Sequence, residues 1–138
     1  MKQYFDIKEI VCDHVYDRFG DTAWRFFDPR LLKVMAWLRM KLNRRIIINS
    51  RSYGLTQRGL RCNLCSLVAG KTKPYLSAHI LGAAFDFDVE GMLAEETRQW
   101  IEKNKADLPH PVRLEKGTTW VHLDTATEQT DKVTYFEG

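Results

Sequence analysis

The sequence predicts an α+β domain in which a small antiparallel sheet is flanked by about three helices. Three observations lead there. Apolar residues recur at helical spacing in three stretches, beginning at Asp6, Asp28 and Leu93. Runs rich in β-branched and aromatic residues at 46–48, 83–89, 112–115, 120–124 and 133–136 have the length and composition of strands. The helical stretches lead and interleave while the last three strand candidates follow one another, which is not the strict alternation of a parallel α/β fold. At 138 residues, the chain from 1 to 138 is one domain: it can bury one core and is too short for two.

Taken in order, the first helix is expected over residues 6–19. Asp6 caps it with Glu9 three residues on, Ile7, Ile10, Val11 and Val15 mark its inner face, and Gly20 ends it. Asp28-Pro29 opens the second: an acidic cap is followed by a proline whose missing N–H costs nothing in the first turn. Leu31, Val34, Met35, Leu38 and Leu42 form its stripe, widened by Trp37, and these large side chains read as core. Ile46-Ile47-Ile48 is a buried strand. It empties into residues 49–77, rich in Gly, Ser, Asn and basic side chains, and a loop of that length inside a compact domain usually carries function.

In the strand at 83–89, Phe85 and Phe87 share one face, while Ala84, Asp86 and Asp88 share the other. Two carboxylates on so apolar a strand either face solvent or need a cation. A third helix covers 93–104, with Leu93, Thr97, Trp100 and Ile101 inward and Glu95-Glu96 in the first turn, where the helix dipole favours acids. Pro109 and Pro111 then interrupt the chain. Three strands close it, the first two joined by a turn at Lys116-Gly117.

Composition narrows the partners. No apolar run approaches the roughly 20 residues of a membrane-spanning helix, so no membrane span is expected. The first residues, Met1-Lys2-Gln3-Tyr4-Phe5-Asp6, lack the basic-then-apolar layout of a secretion signal, which predicts a cytoplasmic location until release. The net charge of +3 is mild, and no dense Lys/Arg patch is interleaved with aromatics, so nucleic acid is not an expected partner. Cys12, Cys62 and Cys65 are an odd set: Cys62-Asn63-Leu64-Cys65 is a lone C-x-x-C without a second pair and reads as incidental reduced thiols, with a disulfide or redox role as the alternative. His14 falls on a helix face and His110 in a proline-flanked loop, neither with an assigned role.

The remaining histidines carry chemistry. His79, Asp86 and His122 are a nitrogen and carboxylate set suited to catalytic zinc, which keeps a fourth position open. Period two in the later strand puts Trp120, His122 and Asp124 on one face. Asp124 can then either orient an imidazole or act as a general base.

Ser77, His79, Gly82, Ala84 and Asp86 fill every fixed position of S-x-H-x-x-G-x-A-x-D, and Trp120-Val121-His122 follows as W-x-H. This pattern resembles the zinc peptidase family of D-alanyl-D-alanine carboxypeptidases and phage L-alanyl-D-glutamate endopeptidases, whose fold is shared with the Hedgehog signalling domain. The resemblance covers roughly residues 28–125. It implies that fold, Zn2+ held by His79, Asp86 and His122, and hydrolysis of peptidoglycan stem peptides by an enzyme that acts on the cell wall; small size and the missing signal point to a phage-type enzyme, and a monomer is expected. Members also carry an S-G-Y-R-like segment whose arginine holds the substrate carboxylate; Arg58-Gly59-Leu60-Arg61 resembles it and nominates Arg61, with Asn49-Ser50-Arg51 as the rival placement. By the resemblance, zinc polarises the scissile carbonyl and lowers the pKa of its water toward about 7, and a carboxylate takes the proton. Where many members place that carboxylate, or a histidine, this chain has Thr119 and Trp120. Asp124 is the expected substitute and Glu115 a more distant one. A relative that binds zinc, cell wall or a partner without turnover is the alternative.

Overall fold

The computed structural model describes residues 1–128 and 130–138. Its helices are α1 (Asp13–Phe19), α2 (Pro29–Leu42) and α3 (Ala94–Lys103), and its strands are β1 (Ile46–Ile47), β2 (Ala84–Val89), β3 (Val112–Glu115), β4 (Val121–Asp124) and β5 (Val133–Phe136). The strands form one sheet in the order β1-β2-β4-β3-β5. The α+β class is as the sequence predicts.

Two expectations change. The sheet is mixed rather than antiparallel, because β5 returns to the outer edge of β3 and pairs with it in parallel, Val112 opposite Val133. The helix expected over residues 6–19 is broken. Asp6 and Glu9 do form the reciprocal capping box, but around a single 3-10 turn, Ile7–Glu9. Residues 10–12 then leave the helical path and run beside Leu60: Leu60 N–H donates to Ile10 C=O at 2.8 Å, and Cys12 N–H donates to Leu60 C=O at 2.9 Å. Tertiary pairing outweighs helix propensity here. It is tight enough that a Cβ on Gly59 would come within 2.1 Å of the Ile10 carbonyl oxygen.

Helix α2 follows its sequence signals closely. Asp28 accepts from Arg30 N–H at 3.0 Å, Pro29 sits in the first turn, and Asn43 closes the helix in the left-handed region at φ 48°. Leu31, Val34, Met35 and Leu38 are fully buried. They meet the sheet face formed by Phe85 and Phe87 of β2, Val121 and Leu123 of β4, and Val112 and Leu114 of β3. Burying each such side chain stabilises by about 1.5–3 kcal/mol, so this layer is the main source of stability. In α3, Thr97 and Ile101 turn inward as expected, but Leu93 is 71% exposed. Arg98 takes the inward position instead, 4% exposed, donating to the carbonyls of Thr118 at 3.1 Å and Trp120 at 3.2 Å. It ties the β3–β4 connection to the helix just before β4.

Because side chains alternate along each strand, the face opposite this core carries Ala84, Asp86, His122, Asp124 and Arg113. Residues 49–78 run as a long, largely irregular segment on the approach to Asp86. Where β1 stops, the Arg58 carbonyl accepts from Asp86 N–H at 2.7 Å. No helix is long and apolar enough to cross a membrane among the described residues.

Candidate metal centre

The centre is assembled by register. In the antiparallel β2–β4 pair Asp86 lies directly opposite His122, and Ala84 opposite Asp124. His79 arrives from the turn before β2. That turn depends on Gly82, at φ +68°, whose carbonyl accepts from Asp28 N–H at 2.9 Å; a Cβ there would meet the Phe26 carbonyl oxygen at 2.1 Å. The glycine of the sequence motif is thus required by a close backbone approach and by its backbone angle.

Both carboxylate oxygens of Asp86 face the two rings. His79 Nε2 lies 3.2 Å from Oδ2 and His122 Nδ1 lies 2.9 Å from Oδ1, with ring centroids 5.2 Å apart. His79 is 5% exposed and His122 7%. The far nitrogen of each ring is anchored: His79 Nδ1–H donates to Gly59 C=O at 3.0 Å, and His122 Nε2–H donates to Asp124 Oδ2 at 2.8 Å. These anchors fix both rings so that His79 Nε2 and His122 Nδ1 turn toward Asp86. The donor atoms of all three residues lie within 4.8 Å of one another. A tetrahedron built on bonds of about 2.0–2.1 Å has edges of about 3.3 Å, and the two nitrogen–carboxylate separations lie near that length.

The charges are strongly coupled. Burial alone would raise the Asp86 carboxyl, but hydrogen bonds from His122 and His79 overcome it and hold the group well below the usual carboxylate range. Burial would likewise lower His122; its bonds to Asp124 and Asp86 outweigh that and push it up to about 9. Each His122 nitrogen thus faces a carboxylate oxygen, Nδ1 that of Asp86 and Nε2 that of Asp124. The proton on Nδ1 is the one a cation would replace, leaving the bond to Asp124 intact.

Asp124 is fully buried. Arg113 grips it through two bonds, Nε to Oδ1 at 2.8 Å and Nη2 to Oδ2 at 2.9 Å, and Ala126 N–H adds a third at 3.2 Å. Of the two roles the sequence left open for Asp124, this geometry favours orienting the imidazole over taking a proton. Both oxygens are engaged and neither reaches solvent. Arg113 also lies across the Phe136 ring, 4.5 Å from its centroid, and that ring packs edge-on against His122. Neither Arg113 nor Phe136 carries a sequence signal for the site; the cross-strand pairing of β3 with β4 and β5 brings them there.

Arg61 is 8% exposed, with Nη2 3.5 Å from Asp86 Oδ2 and Nε donating to Gln57 C=O at 3.0 Å. Arg51 is turned away, paired with Asp13 and donating to Lys8 C=O at 3.1 Å. Arg58 holds Asp88 at 2.9 Å, so Asp88 is satisfied without a metal. A cleft of about 300 Å³ opens over Asp86, bounded by Gln57, Arg58, Arg61, Leu67 and Trp120.

Thr119, at the position where the resembling family often carries its base, is exposed. Glu115 projects beside Gly138, since a Cβ there would meet its Oε1 at 1.9 Å. Continuing the β3–β4 register by one residue brings the Glu115 backbone opposite His122.

The expectation of incidental thiols is also revised. Cys12, His14, Cys62 and Cys65 gather their donor atoms within 4.8 Å of one another, a second group able to hold a metal ion. The sequence signal was present as Cys12-Asp13-His14, a mixed C-x-H pair far from the C-x-x-C. Comparison of the chain with protein-family models, curated proteins and solved structures found no match.

Proposed function

We propose that this protein is a zinc-dependent peptidase that hydrolyses amide bonds in the peptide stems of bacterial peptidoglycan. His79, Asp86 and His122 would hold the zinc. The observation that carries this reading is the anchoring of the outer nitrogens by Gly59 C=O and Asp124, which turns His79 Nε2 and His122 Nδ1 onto the same carboxylate. Histidines that bind a metal commonly donate their outer N–H to a carbonyl or carboxylate in this way.

Zinc bound there would supply Lewis-acid activation of the scissile carbonyl and of water. The chain's own groups provide the rest. Asp124, locked by Arg113, holds the His122 ring in place. Arg61, at the edge of the cleft beside Asp86, would bind the substrate carboxylate, and the engagement of Arg51 with Asp13 supports Arg61 over that rival. Trp120, 39% exposed, offers an apolar wall for the peptide. The mild positive charge of +3 suits an anionic cell-wall matrix.

The test is to incubate purified protein with peptidoglycan and follow newly exposed amino groups, with and without a chelator and after zinc is restored. Release that depends on zinc, and is lost in Asp86→Ala, is the expected result. Release that persists after complete metal removal would overturn the mechanism.

A second reading is supported by one observation, the full engagement of Asp124. With that carboxylate occupied and Thr119 in the usual place of the base, the chain would bind zinc and cell wall without cleaving it. Zinc-dependent sedimentation with peptidoglycan, accompanied by no amino-group release, would favour that reading.

A further inference from the structure

The second donor cluster lies outside the centre described above, and the proposed reaction does not use it. His14 Nδ1 is 3.6 Å from Cys62 Sγ and 3.8 Å from Cys65 Sγ, and Cys12 Sγ belongs to the same group. Zinc bonds of about 2.3 Å to sulfur and about 2.0–2.1 Å to nitrogen give tetrahedral edges of about 3.6 Å between sulfur and nitrogen and about 3.8 Å between sulfurs. The two separations from His14 Nδ1 lie close to the sulfur–nitrogen edge, and the remaining donors fall within 4.8 Å. All three cysteines are free of disulfides.

The backbone around the cluster is shaped for it. Leu64 N–H donates to Cys62 Sγ and Cys62 N–H donates to Cys65 Sγ, each at 3.4 Å. Such N–H to sulfur bonds stabilise negative charge on a thiolate, as a metal ligand requires. The other two donors come from the start of α1, on the strip that runs beside Leu60. Cys12 and Cys65 are each 2% exposed, while His14 at the outer edge leaves a path of entry. Each half supplies two closely spaced donors, the arrangement by which structural zinc sites join distant segments.

We propose that Cys12, His14, Cys62 and Cys65 form a closed Cys3His structural zinc site. Four protein donors leave no open position, so the site is not catalytic. Its effect is on the segment it clamps. Residues 58–61 lie between the two metal groups and supply the Gly59 carbonyl to His79, the Arg58 carbonyl to Asp86 N–H and the Arg61 side chain beside Asp86. The structural ion would hold this segment against residues 10–14 and thereby fix the floor of the first centre.

The test uses the full chain, stripped of metal under reducing conditions and titrated with Co(II) alone. Thiolate bound to cobalt gives an intense near-ultraviolet charge-transfer band, which the His79, Asp86 and His122 set cannot produce because it has no sulfur. The expected result is that band in the wild-type protein, saturating at one equivalent, retained in His79→Ala and weakened by about a third, with weaker cobalt binding, in Cys62→Ser. If Cys62→Ser does not fold, His14→Ala keeps every sulfur and should shift the band and weaken cobalt binding. Saturation without the band, with all three thiols reacting equally fast in the presence and absence of zinc, would overturn the proposal. Failure of the first centre reads differently: the thiolate band would appear, yet total metal would stop at one equivalent per chain.

Discussion

Asp124 is a buried carboxylate whose bonds to Arg113, His122 and Ala126 leave it little freedom, so its replacement should weaken the zinc binding proposed for His122. In Asp124→Asn the amide oxygen can still accept from His122 Nε2–H, but the charge that steadies the ring is gone. Loss of such a partner typically costs about 10–100-fold in metal affinity. Competition against a fluorescent zinc chelator should show a loss in that range; a change below about twofold would mean that the ring does not depend on Asp124. Arg61→Lys tests the other side of the cleft. Zinc content should stay unchanged while KM rises for substrates ending in a carboxylate, because an ammonium cannot reproduce the guanidinium's paired donors. Arg51→Lys should leave KM unaltered.

At the scale of elements, the start of α2 and the turn at Gly82 support each other. Asp28 caps the helix, accepts from Thr125 Oγ1 at 2.8 Å and donates its backbone N–H to Gly82 C=O. Asp28→Ala should destabilise the fold by about 1 kcal/mol at pH 7, as measured by urea unfolding. Burial would raise the Asp28 carboxyl, but bonds from Arg30 and Thr125 lower it on balance. A group lowered in the folded state contributes stability that is present above its unfolded pKa of 3.8 and lost as pH falls through its folded value. The difference between wild type and Asp28→Ala should therefore shrink below pH 3.8. Gly82→Ala should cost at least about 1–2 kcal/mol from its positive φ alone, before the clash with Phe26. This scale was also the most legible in sequence: the Asp28-Pro29 cap, the alternation of Phe85 and Phe87 with Asp86, and the H-x-x-G spacing are local signals with local causes. The broken first helix was not legible, because Ile10 and Val11 have helical spacing and only the approach of Leu60 pulls them out of it.

Across the whole molecule, what the sequence concealed is non-local. His14 and Cys62 are 48 positions apart, and nothing in a C-x-H pair announces which segment it will meet. The parallel pairing of β5 with β3 likewise depends on a connection whose path the residues do not specify by type. If the proposed zinc binds, the same non-local ties would make the fold sensitive to metal. With zinc at about 100 times its dissociation constant, linkage adds about 2.7 kcal/mol to stability, which for a domain of this size should raise Tm by roughly 5–10 °C. Differential scanning calorimetry with and without chelator would measure this; no change in Tm would mean that zinc does not bind the folded chain more tightly than the unfolded one.

The cross-strand placement of Asp86 opposite His122 also bears on how the chain finds its fold. If β4 slipped by one residue against β2, Val121 or Leu123 would face Asp86 and the imidazole would turn into the apolar layer. Such a sheet could still form backbone ladders, but it could not gather the three donors. Metal binding would thus reward only the correctly aligned pairing, acting as a proofreader of strand alignment during folding as well as an occupant of the finished site.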